Sequence, residues 1–238
     1  MKAIFISVRT GSKRLANKSV LKINDKYTIE YVIDSVKKSK YADKIVLCTT
    51  DLGEDKILCD IAKKNEIDFY RGDELNKSKR WYGACKTYDI DCFVTADGDD
   101  LFYDVGLSDL CFEQIGEDDF IDGQGLYNDV YGMTTKALKV WLDKSNDKNI
   151  EPHDMIKFFK SISLKGKKLE NVPDIYKKKN IRMTLDYEED FKFFSEIINK
   201  IKLDFNIKDV LYYIEKNPHV IDINYGREKD WKKNQGKI

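Results

Sequence analysis

Apolar positions along the chain fall into short continuous runs separated by amphipathic stretches. "KAIFISV" (Lys2 to Val8) is almost unbroken, the pattern of a strand covered on both faces. Ile29, Val32, Ile33 and Val36 then recur at i, i+3, i+4 and i+7, one face of a helix. "DKIVLCTTD" (Asp43 to Asp51) reads as a second buried strand. Glu54 to Glu66 reads as a helix with Ile57, Leu58 and Ile61 on its apolar face. A third strand over Ile67 to Gly72, a helix over Leu75 to Tyr88, and a fourth strand over Asp91 to Asp100 complete the first half.

Strands alternating with helices predict βαβ units and a parallel sheet. The predicted class is α/β, a Rossmann-like and mostly parallel sheet flanked by helices. The second half is less regular. It predicts a strand, a turn and a helix start over Asp122 to Val140, and a helix near Met155 to Phe159. A strand at Ile181 to Thr184 then leads through an acidic turn into a strongly amphipathic helix. A last helix spans Ile207 to Lys216, before a polar tail. No repeat and no Pro- or Gly-rich linker divides the chain. Residues 1–238 therefore read as one domain, with a small α+β insertion at about 122–180 for an acceptor or for dimerisation.

Composition narrows the partners. Forty-two Lys and Arg balance forty-two Asp and Glu among 238 residues, so no global field draws the protein to nucleic acid or an anionic membrane. No stretch approaches the roughly 20 apolar residues of a membrane span, and no signal peptide is legible. Five cysteines without CxxC spacing, and two histidines far from them, read as buried free thiols of a cytoplasmic protein rather than a zinc site.

In a parallel sheet, ligands bind beyond the carboxyl ends of the strands. Those ends carry the residues that stand out chemically. "ISVRTGSKRLANKSV" places Arg9, Lys13, Arg14 and Lys18 around Gly11 and Ser12, without one acid, directly after the first strand. Such a loop cradles phosphates with backbone N–H groups and full charges, and its charge density suits a triphosphate. It is neither a Walker A loop nor GxGxxG. A polyphosphate held for chemistry calls for Mg²⁺ on one or two carboxylates. Asp97, in "TADGDD", and Asp186, in "TLDYEED", follow predicted strands and are the candidate ligands. Asp99 and Asp100 suit either the metal or the turn. Glu188, Glu189 and Asp190 suit the first turn of a helix, where the dipole favours acids.

Taken together, these blocks resemble the CMP-sugar-acid cytidylyltransferases, the group of Kdo, acylneuraminate and spore-coat-polysaccharide type enzymes. The basic loop is similar to their A/V-R-x-G/S-S-x-R-L-x-x-K. "IVLCTTD", "FYRGDEL", "VTADGDD" and "RMTLDYEEDF" are similar to their later motifs, in order, from about Ala3 to Phe194. The resemblance implies CTP and Mg²⁺ as cosubstrate and cofactor, a small-molecule acceptor and a homodimer. It places Arg9, Ser12, Arg14 and Lys18 on the triphosphate, with Arg9 and Lys18 neutralising charge during transfer. Thr49, Thr50 and Arg71 would lie near the cytidine, Arg80 would add a cation, and Asp97 and Asp186 would hold the metal.

Departures concern the acceptor more than the nucleotide. Leu-Ala-Asn-Lys stands where Leu-Pro-Gly-Lys is usual, Ala96 replaces a Gly, and the segment after Asp97 lacks the customary Pro. The expected acceptor is a nonulosonic or octulosonic sugar acid. The alternatives are a phosphorylated or phosphonate acceptor, a glycosyltransferase using Asp97-Gly98-Asp99 as a DxD site, and a nucleotide-binding module without turnover. The acceptor segments expected are Asp122 to Tyr131 and Glu151 to Asp154, where His153 reads first as a surface or capping residue and second as an acceptor contact.

Overall fold

The computed structural model describes residues 1–144, 152–162, 164–177, 180–202 and 204–235. Its centre is β1 (Lys2–Ser7), whose residues are almost all solvent-free, as the apolar run requires. The chain leaves β1 through the basic loop and a 3-10 turn at Lys18–Val20. A two-residue ribbon follows, β2 (Lys22–Ile23) against β3 (Lys26–Tyr27). Then come α1 (Thr28–Val36), β4 (Lys44–Thr50), α2 (Lys56–Lys64), β5 (Asp68–Gly72), α3 (Lys77–Tyr88) and β6 (Cys92–Asp97). In α2 the buried face is Leu58, Cys59, Ile61 and Ala62. Ile57, expected on that face, is instead 37% exposed.

β6 leads into α4 (Val105–Ile115), a helix absent from the sequence reading, which Asp104 caps by accepting from Gly106 N at 2.7 Å. The insertion is β7 (Phe120–Gly123), β8 (Val130–Thr134), α5 (Thr135–Lys144), α6 (Pro152–Ser161) and β9 (Gly166–Lys168). Gly166 is a steric necessity: a Cβ there would lie 2.5 Å from the Phe120 ring opposite it. The chain ends in α7 (Glu188–Ile198), α8 (Ile207–Lys216) and α9 (Arg227–Gln235), the last lying where only a polar tail was expected. Ile181 to Thr184, expected as a strand, joins no ladder. It is docked through the next residue, whose Leu185 N donates to Asp99 O at 2.9 Å, and through Arg182 O, which accepts from Asn224 Nδ2 at 3.1 Å.

The seven-stranded sheet has the order β5-β4-β1-β6-β8-β7-β9. β4, β5 and β6 all run parallel to β1, and β8 alone is reversed. α1, α2 and α4 bury Val32, Leu58 and Phe112 on one face of the sheet. α3, α5 and α6 bury Trp81, Leu138 and Phe159 on the other. A third cluster packs Phe193 and Ile197 of α7 and Val210 of α8 over Tyr31 and Phe102. The five cysteines are buried free thiols; burial pushes Cys85 up to about 12, so it is inert at neutral pH. Among the described residues, no helix is long and apolar enough to cross a membrane.

Candidate active site

Beyond the carboxyl ends of β1, β4, β5 and β6 lies a cleft of about 890 Å³. Arg9, Gly11, Ser12, Lys13, Arg14, Lys18, Arg80, Asp97 and Asp186, all singled out in the sequence, line it.

The loop is fixed at its base. Asp55, fully buried, accepts from Thr10 N at 2.7 Å and Thr10 Oγ1 at 2.6 Å, and also from Thr50 Oγ1. Burial alone would raise the Asp55 pKa, yet the bonds from Thr10 and Thr50 hold it below the ordinary value. Further along, Asn17 adopts φ 55° and ψ 26°. That left-handed conformation suits Gly first and Asn next, so Asn17 serves where the related pattern has Gly. The turn it makes aims Lys18 across the cleft, and Thr28 Oγ1 secures Lys18 O at 2.5 Å.

Lys18 Nζ lies 2.6 Å from Asp99 Oδ2 and 2.8 Å from Asp186 Oδ1. Arg14 Nη2 lies 2.7 Å from the same Asp186 oxygen. Burial alone would lower the Lys18 pKa; the charges of Asp99 and Asp186 reverse this and raise it. Burial would likewise raise Asp99, but Lys18 holds it down. Asp100 is pushed well up, first by burial and then by the neighbouring charges of Asp99 and Asp97. Asp97 is more open, its side chain 47% exposed, with Lys77 Nζ at 3.7 Å.

Thr49, Thr50 and Arg71, expected near the cytidine, lie outside the cleft lining. The two threonines are fully buried, and Thr50 is spent on Asp55. Arg71 donates to Thr50 O at 3.1 Å and Leu52 O at 2.8 Å. Thr50 and Arg71 thus brace the end of β4, and none of the three lines the cleft. Arg80 is different. It is 5% exposed; its Nη1 donates to Asp73 O and Glu74 O, and its Nε has no hydrogen-bond partner. Burial lowers its pKa, and the charge of Arg9 adds to this. A buried guanidinium lacking a carboxylate partner is costly until an anion or a pair of acceptors reaches it.

Sequence reasoning missed Asp55, Lys77, Arg182, Glu228 and Trp231. The last two come from α9, too polar to announce itself as a helix that packs. In the insertion, the β7–β8 connection supplies Leu126, Tyr127 and Asp129 to the cleft, but Asp122 faces Lys160 at 2.8 Å. His153 belongs to α6, and its side chain, like Glu151, lies outside the described residues.

Among the described residues no cluster of three or more His, Cys, Asp or Glu could hold a metal alone. Carboxylates that share their metal with phosphate oxygens and water need no such cluster. Asp97 opens to the cleft, and the Lys18 ammonium already sits as a cation between Asp99 and Asp186. The site fits Mg²⁺.

Cations on one wall of a strand-end cleft and carboxylates on the other define an α/β nucleotidyltransferase. The chain belongs to the cytidylyltransferase family, whose sequence profile matches residues 3–218. It is 25% identical to a cytidylyltransferase from Leptospira borgpetersenii serovar Hardjo-bovis, with a TM-score of 0.80 over 92% of this chain and 96% of the other. A CMP:2-keto-3-deoxy-manno-octonic acid synthetase solved with CTP shares the fold at 11% identity and a TM-score of 0.62, over 84% of this chain and 98% of that one. An uncharacterized protein of Methanocaldococcus jannaschii, MJ1063, is 29% identical over 95% of this chain and 96% of its own length.

Proposed function

We propose that the protein transfers CMP from CTP to a small hydroxyl- or acid-bearing acceptor, releasing pyrophosphate with the aid of Mg²⁺. One observation carries the reading: the phosphate-loop cations Arg14 and Lys18 converge on the Asp99 and Asp186 carboxylates inside one cleft. An acceptor oxygen attacks the α-phosphorus in line, and the bond to the bridging oxygen of the β-phosphate breaks. Arg9, Lys13, Arg14 and Lys18 hold the triphosphate and stabilise charge on the departing pyrophosphate. Catalysis is then positioning and electrostatics. Bound by Asp97 and Asp186, Mg²⁺ would supply further charge neutralisation on the phosphates. The family match favours this reading over a glycosyltransferase with Asp97-Gly98-Asp99 as its DxD.

A sugar acid remains the acceptor of first choice, with phosphorylated and phosphonate acceptors next. The β7–β8 connection, with Leu126, Tyr127 and Asp129, is the wall that would meet it. The reading carries with it a cytoplasmic homodimer. Thermal unfolding with Mg²⁺ and each of CTP, UTP, ATP and GTP tests the nucleotide. A ligand at ~100 times its dissociation constant adds roughly 2.7 kcal/mol, or about 5–10 °C for a chain of this size. A shift with CTP alone, followed by pyrophosphate release across an acceptor panel, is the expected outcome. Equal shifts with all four nucleotides would remove cytidine specificity from the reading.

A further inference from the structure

The inner wall of the cleft contains a polar network that the phosphate chemistry does not use. Asp190 is fully buried and accepts five hydrogen bonds. Arg182 Nε and Nη2 donate to it at 2.8 and 3.0 Å, forming a two-pronged fork. The backbone N–H groups of Asp186 and Tyr187 donate at 2.9 and 3.0 Å, and Asn224 Nδ2 at 2.9 Å. Asn224 Nδ2 also donates to Arg182 O at 3.1 Å. The same Arg182 Nη2 reaches Asp186 Oδ2 at 3.3 Å, and its Nη1 reaches Glu228 Oε2 of α9 at 3.5 Å.

A carboxylate that only capped α7 would need no more than the backbone donors of the first turn. Asp190 goes further, drawing a buried guanidinium and a buried amide onto itself. Buried ion pairs of this kind contribute little net stability compared with an apolar filling. What the network does achieve is directional. Asp190 holds the Asp186 backbone, while Arg182 pins Asp186 Oδ2 from within. Asp186 Oδ1 is thereby left facing Arg14, Lys18 and the cleft.

We propose that Asp190, acting through Arg182 and the Asp186 backbone, is the positioning residue that aims Asp186 Oδ1 at the nucleotide-bound Mg²⁺. Asn224 ties this aim to the segment leading into α9. The proposal rests on the magnesium-assisted reading above, and binding measurements separate the two.

CTP binding is measured by calorimetry without and with Mg²⁺, alongside thermal unfolding, for the wild type, Asp190→Asn and the double variant Arg182→Met/Asp190→Leu. Wild-type protein gains affinity with Mg²⁺. Asp190→Asn keeps its metal-free affinity, because the basic loop is untouched, and loses at least tenfold of the Mg²⁺-dependent gain. The double variant removes both buried charges but leaves the Asp186, Tyr187 and Asn224 donors without their acceptor, so it recovers part of the melting temperature without recovering the gain. That split separates aiming from mere folding. A folded Asp190→Asn with the full gain, or a double variant that regains it, overturns the proposal. If Asp190→Asn does not fold, Asn224→Ala takes its place: it removes one donor and should lose two- to fivefold of the gain, and an undiminished gain is again contrary. Wild-type protein that binds CTP with no gain from Mg²⁺ also overturns the proposal, whereas wild-type protein that does not bind CTP overturns the cytidylyl-transfer reading itself.

Discussion

The Lys18 ammonium lies 2.8 Å from Asp186 Oδ1, so a cation of the phosphate loop rests on a carboxylate of the opposite wall. Without nucleotide the two walls neutralise each other. On the proposed reading, a triphosphate arriving with its divalent ion would offer each side a new partner, an exchange that costs less than burying either charge alone.

Lys18→Met should therefore destabilise the nucleotide-free protein, because Asp99 and Asp186 lose their shared cation. Removing one partner of a buried pair costs about 3 kcal/mol, or roughly 6–12 °C here. The Lys18 pKa is raised, so its contribution is complete below about 10.4 and fades as pH rises through the raised value. The Asp99 pKa is lowered, so its contribution is complete above about 3.9 and fades as pH falls through the lowered value. The difference in melting temperature between wild type and variant should be flat from about pH 5 to 9 and shrink at both ends. A difference that varied steadily across that window would mean the pair is not formed.

Asp55→Asn removes the buried charge and replaces one of the two acceptor oxygens by an N–H₂ donor, leaving a single oxygen for three donors. It leaves buried groups unpaired and should cost about 2 kcal/mol, near 4–8 °C. CTP affinity should fall with it, since Thr10 is the fixed base of the phosphate loop. Differential scanning calorimetry and nucleotide titration check the two halves of this outcome. Loss of stability with unchanged affinity would show that the loop is anchored elsewhere.

Arg80→Met should reverse the usual order of effects. The buried guanidinium has two carbonyl partners and no carboxylate, so its removal should not lower the melting temperature. CTP affinity should drop at least tenfold. A clear loss of stability with full affinity would instead make Arg80 a brace for the Asp73–Glu74 loop.

Asn17 distinguishes conformation from chemistry. Asn17→Gly should be close to neutral, because either residue accepts the left-handed backbone. Asn17→Val should cost about 1–2 kcal/mol and weaken triphosphate binding by misdirecting Lys18. Unfolding curves of the two variants side by side decide this.

The first half of the fold was legible because its strands are continuous apolar runs and α1 carries a clean helical spacing. α4 was not. Its buried residues, Leu107, Ser108, Cys111, Phe112 and Ile115, include a serine and leave too little contrast with the exposed side. Ile181 to Thr184 has a strand's composition, but Arg182 and Met183 are both buried, and this segment is held by side chains rather than a ladder. The basic loop and the acids were visible as charge without compensation. Asp55, Asp190 and Arg182 were invisible as a set because their partners lie up to 46 residues away in the chain or on the unforeseen side of α7. Arg71 illustrates the opposite limit: a cation beside a strand end shows in the sequence, but its bonds to the Thr50 and Leu52 carbonyls do not.

The reversed strand β8 begins where its neighbours end, so the β7–β8 connection opens onto the same cleft as the phosphate loop. The walls proposed for nucleotide and acceptor thus come from separate stretches of chain that meet at the cleft. On the proposed reading, changes in length or sequence at residues 124–129 would alter which acceptor is taken while the residues assigned to CTP stay as they are, so that one scaffold could diversify by exchanging a single hairpin tip.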